Sequence, residues 1–211
     1  MHNIPILHLI SLLFFISCSQ IKYSAWETLG VEKRDLFKRE VKSVKENQKD
    51  SVESFQDALT RLKEVYDFDG GDLEKSYKKL NSAYERSKED AATVTEDIKE
   101  LNKVAVDLFK EWENEISEIS SKDLKRKSKK QLNETRTKYE DLHKKLISSE
   151  KKMEPILSKL RDQVLSLKHN LNSKAIAGLK TEGSRIENDI EKLMQEMTAS
   201  TKEAEELIKE L

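Results

Sequence analysis

The chain has 211 residues, 39 of them basic and 40 acidic, so the net charge is −1 even though 37% of the residues are charged. Hydrophobic residues make up only 36%, and there are five glycines and two prolines; this is too little for a thick core and too few turn formers for a many-stranded sheet. The balance of charge excludes a globally basic surface of the kind that neutralises nucleic-acid phosphates, and no nucleic-acid partner is expected.

Residues 1–17 contain no Lys, Arg, Asp or Glu, and positions 4–16 form an apolar run broken only by Pro5, His8 and Ser11. As a helix this run reaches roughly 20 Å, short of the ~30 Å hydrocarbon core, and so it reads as an export signal. It ends in Phe15-Ile16-Ser17-Cys18, which resembles the lipobox of bacterial lipoproteins. The prediction is a signal peptide over 1–17, lipidation of Cys18, a tether over 18–30 and one elongated helical domain over 31–211. Ser19, standing where an aspartate would retain the protein, resembles the pattern of lipoproteins forwarded to the outer membrane. The expected location is the periplasm, attached through the lipid anchor to the inner leaflet of that membrane. Cys18 is the sole cysteine, so no intramolecular disulfide is available. Within the tether, Ser24 and Glu27 have the spacing of a capping box for a short turn ending at Gly30.

Beyond Gly30, apolar residues recur at alternating spacings of four and three, the seam of a coiled coil. The series Leu73, Tyr77, Leu80, Tyr84, Ser87, Ala91, Val94, Ile98, Leu101, Ala105, Leu108, Trp112 departs from apolar character only at Ser87. A comparable seam runs from Ile176 to Leu211, and weaker ones run from Phe37 to Val65 and from Leu132 to Asn170. Breaks in phase coincide with turn chemistry: Gly70-Gly71-Asp72, Ser120-Ser121-Lys122-Asp123 and Asn172-Ser173. Four helices are predicted, over Val31–Tyr66, Leu73–Ile119, Asp123–Leu171 and Ser173–Leu211. The seam continues through Pro155 without shifting, which predicts a kink and not an end. The fold class is therefore all-α, an elongated antiparallel coiled coil or long helical hairpin bundle. Periodicity does not say whether the fourth helix folds back or continues the third. The polar seam residues Gln48, Ser51, Gln163 and Asn170 are suited to fixing register, within one chain or in a homo-oligomer.

Five segments carry a family resemblance: residues 26–36 (WETLGVEKRDL), 70–81 (GGDLEKSYKKLN), 108–115 (LFKEWENE), 131–139 (QLNETRTKY) and 161–179 (RDQVLSLKHNLNSKAIAGL). Together they resemble a bacterial envelope family known as domain of unknown function 2959. The resemblance implies an exported, mostly helical coiled-coil protein with no established activity. Some members bear a name suggesting a DNA-repair ATPase, but the residues here do not support that chemistry. The paired glycines Gly70-Gly71 precede Asp72-Leu73-Glu74, with no Lys-Ser or Lys-Thr placed to cradle phosphates.

Other constellations are weak. Asp67, Asp69 and Asp72 surround a turn, but Lys78 stands where a calcium loop needs its bidentate Glu. Asp162, Ser166 and His169 share one side of a helix, but Asp162 and His169 are two turns apart, about 10 Å, too far for an orienting hydrogen bond. His143 has no second His or Cys at ligand spacing. No catalytic residue, metal or cofactor is expected.

The one concentrated charge is basic: Lys122, Lys125, Arg126, Lys127, Lys129 and Lys130 oppose Asp123 alone at the start of the third helix. The second predicted helix exceeds the first by 11 residues, which carries this turn back past the start of the first helix by about 16 Å. These six cations are thus candidate contacts for anionic lipid. The sequence supports a non-enzymatic envelope scaffold or binding module, working through the lipid anchor and through helix faces that could take a protein partner. The alternatives are a periplasmic holdase or adaptor, which needs exposed apolar faces to grip unfolded clients, and a coiled-coil ATPase, disfavoured for want of a phosphate loop.

Overall fold

The computed structural model describes residues 32–68, 70, 72–169 and 173–211. The expected signal peptide, Cys18 and the tether lie outside the described residues, as do Asp69, Gly71 and Asn170. Four helices follow one another: α1 (Lys33–Tyr66), α2 (Leu73–Glu118), α3 (Lys122–His169) and α4 (Ser173–Glu210). Every predicted boundary falls within two residues of the observed one.

Local chemistry explains the ends. Asp67 closes α1, its backbone N–H donating to the Lys63 carbonyl at 3.0 Å while that of Phe68 donates to the Val65 carbonyl at 3.4 Å. Gly70 takes φ +146°, a value L side chains rarely adopt, and Asp72 then caps α2 by accepting from the Lys75 N–H at 3.0 Å. At the opposite end Ser121 opens α3: its carbonyl accepts from Lys125 N at 2.9 Å and its hydroxyl faces Leu124 N at 3.5 Å. Helix α3 continues through Pro155; that ring deprives the Lys151 carbonyl of a helical donor but leaves the apolar seam on one face.

The helices form a closed square. Helix α1 packs against α2 and α4, and α3 against α2 and α4, while the diagonal pairs make no backbone approach among the described residues. The fourth helix therefore folds back. A regular ladder marks its register: Lys138, Lys145, Lys152 and Lys159 of α3 pair with Glu210, Glu203, Glu196 and Asp189 of α4. Each step advances seven residues on one helix and retreats seven on the other, as antiparallel heptads require. These pairs are partly exposed, and each adds only about 0.2–1 kcal/mol; their value lies in disfavouring slipped registers.

The seam residues of α1, from Phe37 to Val65, are all buried. Leu36 and Leu59 on α1, Val104 and Phe109 on α2, and Leu157 and Val164 on α3 are buried as well. Each helix touches two neighbours, so its apolar stripe must be wider than the seam of a two-stranded coil.

Two polar layers interrupt the apolar core. Gln48, fully buried, donates from Nε2 to Ser149 Oγ at 3.3 Å and accepts at Oε1 from Ser200 Oγ at 2.7 Å, tying α1 to α3 and α4. Nearer the α1–α2 turn, Tyr66 Oη donates to Gln163 Oε1 at 3.2 Å. Both seam glutamines thus bond within the one chain. A Cβ built on Gly183 of α4 would lie 2.0 Å from the Tyr66 ring, so glycine here makes room for an aromatic side chain.

Candidate functional site

Ion pairs across α1 and α2 fix where the basic cluster lies. Lys33 at the start of α1 pairs with Glu111 of α2 at 3.4 Å, and the Arg34 guanidinium lies 4.7 Å from the centre of the Trp112 ring. Helix α2 runs seven residues beyond Glu111, carrying the α2–α3 turn about 10 Å past the start of α1. The sequence-based figure of 16 Å was too large because α2 begins beyond the level at which α1 ends. Their difference in length is shared between the two ends, as the pairing of Lys79 with Glu64 at the other end shows.

Helix α4 stops sooner. Its Glu210 pairs with Lys138, so α3 extends 16 residues beyond that level, about 24 Å. The bundle loses a helix there, and rings close the gap. Phe37, Phe109 and Tyr139 meet with centroids 5.5–5.9 Å apart, mostly edge to face. Tyr139 Oη donates to Asn102 Oδ1 at 3.0 Å, and burial pushes its phenol well above the ordinary range. His143 stacks on the same ring at 5.5 Å, and burial pulls its imidazole below the usual histidine value. Its role is packing, and no group of three or more His, Cys, Asp or Glu suited to a metal occurs among the described residues.

Beyond the ring cluster the two-helix tip bears the cations. Lys122, Arg126, Lys127, Lys129 and Lys130 are exposed, and Lys125 is half-buried. They do not act as one set. Lys125 Nζ donates to the Ser117 carbonyl at 2.9 Å, closing the end of α2. Arg126 pairs with Asp123 at 3.1 Å and Lys130 with Glu134 at 3.7 Å. Lys122, Lys127 and Lys129 form no ion pair among the described residues. Leu124 stands between them, 59% exposed. The fold also sets Glu111, Glu113, Glu115 and Glu118 of α2 alongside, which a local reading of the cluster missed. Glu113 is taken up by Arg136 at 2.9 Å.

The remaining sequence candidates are dispersed. Asp162 and His169 are exposed on α3 and Ser166 is half-buried. Asp67 faces Lys180 at 3.7 Å and Asp72 is spent as a cap. A groove of about 390 Å³ between α2 and α3, near Pro155, is lined by the apolar Tyr84, Leu157, Val164 and Leu165 and by the charged Glu85, Lys88, Glu154 and Arg161. No described helix is long and apolar enough to cross a membrane.

The model of a family described as protein of unknown function, DUF2959, matches residues 22–211. No curated protein matches the chain.

Proposed function

The chain belongs to the DUF2959 family, and we propose that it serves as a lipid-tethered, non-enzymatic spacer or scaffold of the bacterial periplasm. The observation that carries this reading is polarity of the rod. The start of α1 and the α2–α3 tip share one end, while the α1–α2 turn and the end of α3 lie some 45 residues away, about 70 Å. Cys18 precedes Glu32 by fourteen positions. An acyl group on it would hold the tip end at the membrane and present the other end far from it. The apolar residues along the rod are spent on a filled core, which supports a mechanical or binding role over bond-making.

The holdase reading calls for exposed apolar faces. Large apolar side chains exposed among the described residues are Val106, Leu124 and Leu165, on separate parts of the surface. No observation favours that reading over the tethered spacer.

Metabolic labelling with a clickable palmitate analogue, followed by fractionation, tests the proposal. The unaltered chain should take up label and sediment with membranes, and Cys18→Ser should lose label and appear in the periplasmic fraction. An unlabelled protein residing in the cytosol would refute it.

A further inference from the structure

We propose that the α2–α3 tip is a contact surface for anionic phospholipid, with Lys122, Lys127 and Lys129 facing head groups and Leu124 entering the interface. It deepens the reading of a tethered rod by giving the tethered end a second hold on the membrane.

Three independent observations support it. The first is the cost of the cations where they stand. A helix begins with unsatisfied N–H groups and the positive end of its dipole, so acidic residues are favoured there and basic ones disfavoured. Helix α3 begins with five cations in its first eight positions against one aspartate. Lys125 recovers its cost by closing α2, and Arg126 and Lys130 have carboxylate partners. Lys122, in the first turn where the dipole acts, has no such compensation among the described residues, and Lys127 and Lys129 in the next turn have no ion-pair partner there either; an anionic surface outside the protein supplies one.

The second is Leu124. Most described leucines pack inward, Leu165 at 38% being another exception, yet this one is 59% exposed within two to five residues of the three cations. On the helix Lys127 shares the face of Leu124 while Lys122 and Lys129 lie on the other side, so an end-on approach of the tip matches the bilayer interface: the leucine leaves water and the lysine stems extend along the apolar boundary with their ammonium groups at the phosphates. A small soluble anion would satisfy the charges and leave the leucine wet. The third is position. The tip is the most advanced part of the rod at the end where α1 begins, about 10 Å beyond Lys33. Glu115 and Glu118 of α2 are exposed nearby and oppose the attraction, which predicts binding that is measurable without the anchor but weaker than the three cations alone would give.

The test is vesicle co-sedimentation of the full chain carrying Cys18→Ser, so that no acyl group contributes. Each cation near an anionic surface contributes roughly fivefold in affinity. Lys122→Gln, Lys127→Gln and Lys129→Gln together should weaken binding to vesicles of 30% phosphatidylglycerol on the order of a hundredfold. Raising salt should weaken it also, and Leu124→Ser should weaken it without altering the salt dependence. These residues are exposed, so circular dichroism should show each variant fully helical. Binding that is absent, equal on neutral phosphatidylcholine, or unchanged in the triple variant overturns the proposal. A partner protein captured by the tip in place of lipid would appear as the first of these. Acylation of Cys18 is read separately by labelling, so failure of the anchor and failure of the tip give different results.

Discussion

Gly183→Ala should destabilise this bundle although it replaces a poor helix former with the best one. In an open helix the change gains about 0.8–1 kcal/mol. Here the new Cβ would lie 2.0 Å from Tyr66 Cε2 and 2.3 Å from Cζ, where ordinary contact begins near 3.4 Å. The ring must move by more than 1 Å, which breaks its 3.2 Å hydrogen bond to Gln163. Losing that bond costs about 1 kcal/mol, and displacing a packed ring costs about 1–3 more. Against the propensity gain, the net loss is roughly 1–3 kcal/mol, or about 2–10 °C in Tm for a chain of this size. The same substitution should reverse sign in a Tyr66→Ala background, where the three atoms nearest the methyl group are gone, and stabilise by up to about 1 kcal/mol. Urea unfolding of the four proteins closes the cycle. If Gly183→Ala stabilises both backgrounds equally, glycine is not there to admit Tyr66 and the packing argument fails.

Two further outcomes follow from buried groups. Gln48→Ala removes two cross-helix hydrogen bonds and leaves a cavity, for a loss of about 2–4 kcal/mol by urea titration. Gln48→Met fills the space, and since Ser149 and Ser200 keep bonds to the Leu146 and Met197 carbonyls it should cost under about 1.5 kcal/mol; an equal loss for both variants would show that the amide itself is indispensable. His143 is held below its ordinary pKa by burial, so the unfolded chain binds its proton first as the pH falls. Its contribution is fully present above about pH 6.5 and is lost as the pH falls through the lower folded value. The drop in Tm between pH 7 and pH 5 should shrink in His143→Gln, and an unchanged drop would rule out this group as its source.

Much of this architecture can be read from the chain because it is built from local rules. Heptads identify the helices, and their ends coincide with residues that satisfy free backbone groups: Asp72, Ser121 and the positive φ of Gly70. The return of α4 could not be read in the same way. A break near residue 172 permits either a turn or a continuation, and what decides it is matching between segments. Lys138, Lys145, Lys152 and Lys159 are ordinary surface lysines until α4 is laid beside them in reverse, when each finds an acid. Two-body information also corrected the tip, where the cations looked isolated because their neighbours Glu111 to Glu118 belong to the preceding helix. The wider buried stripe has the same origin, since Leu59 and Val104 look like spare apolar residues until a second neighbour covers them.

The claim on which the rest depends is that one chain closes its own square of helices. Cysteines placed at the ladder position Lys145 and Glu203, and separately at the α1–α4 pair Lys45 and Glu205, in a Cys18→Ser background, test it with a short bismaleimide crosslinker in dilute solution. Both pairs should crosslink within the monomer, giving a faster-migrating species with the mass of one chain plus one crosslinker. Crosslinks forming only between chains, or none at the α1–α4 pair, would show that α4 does not fold back.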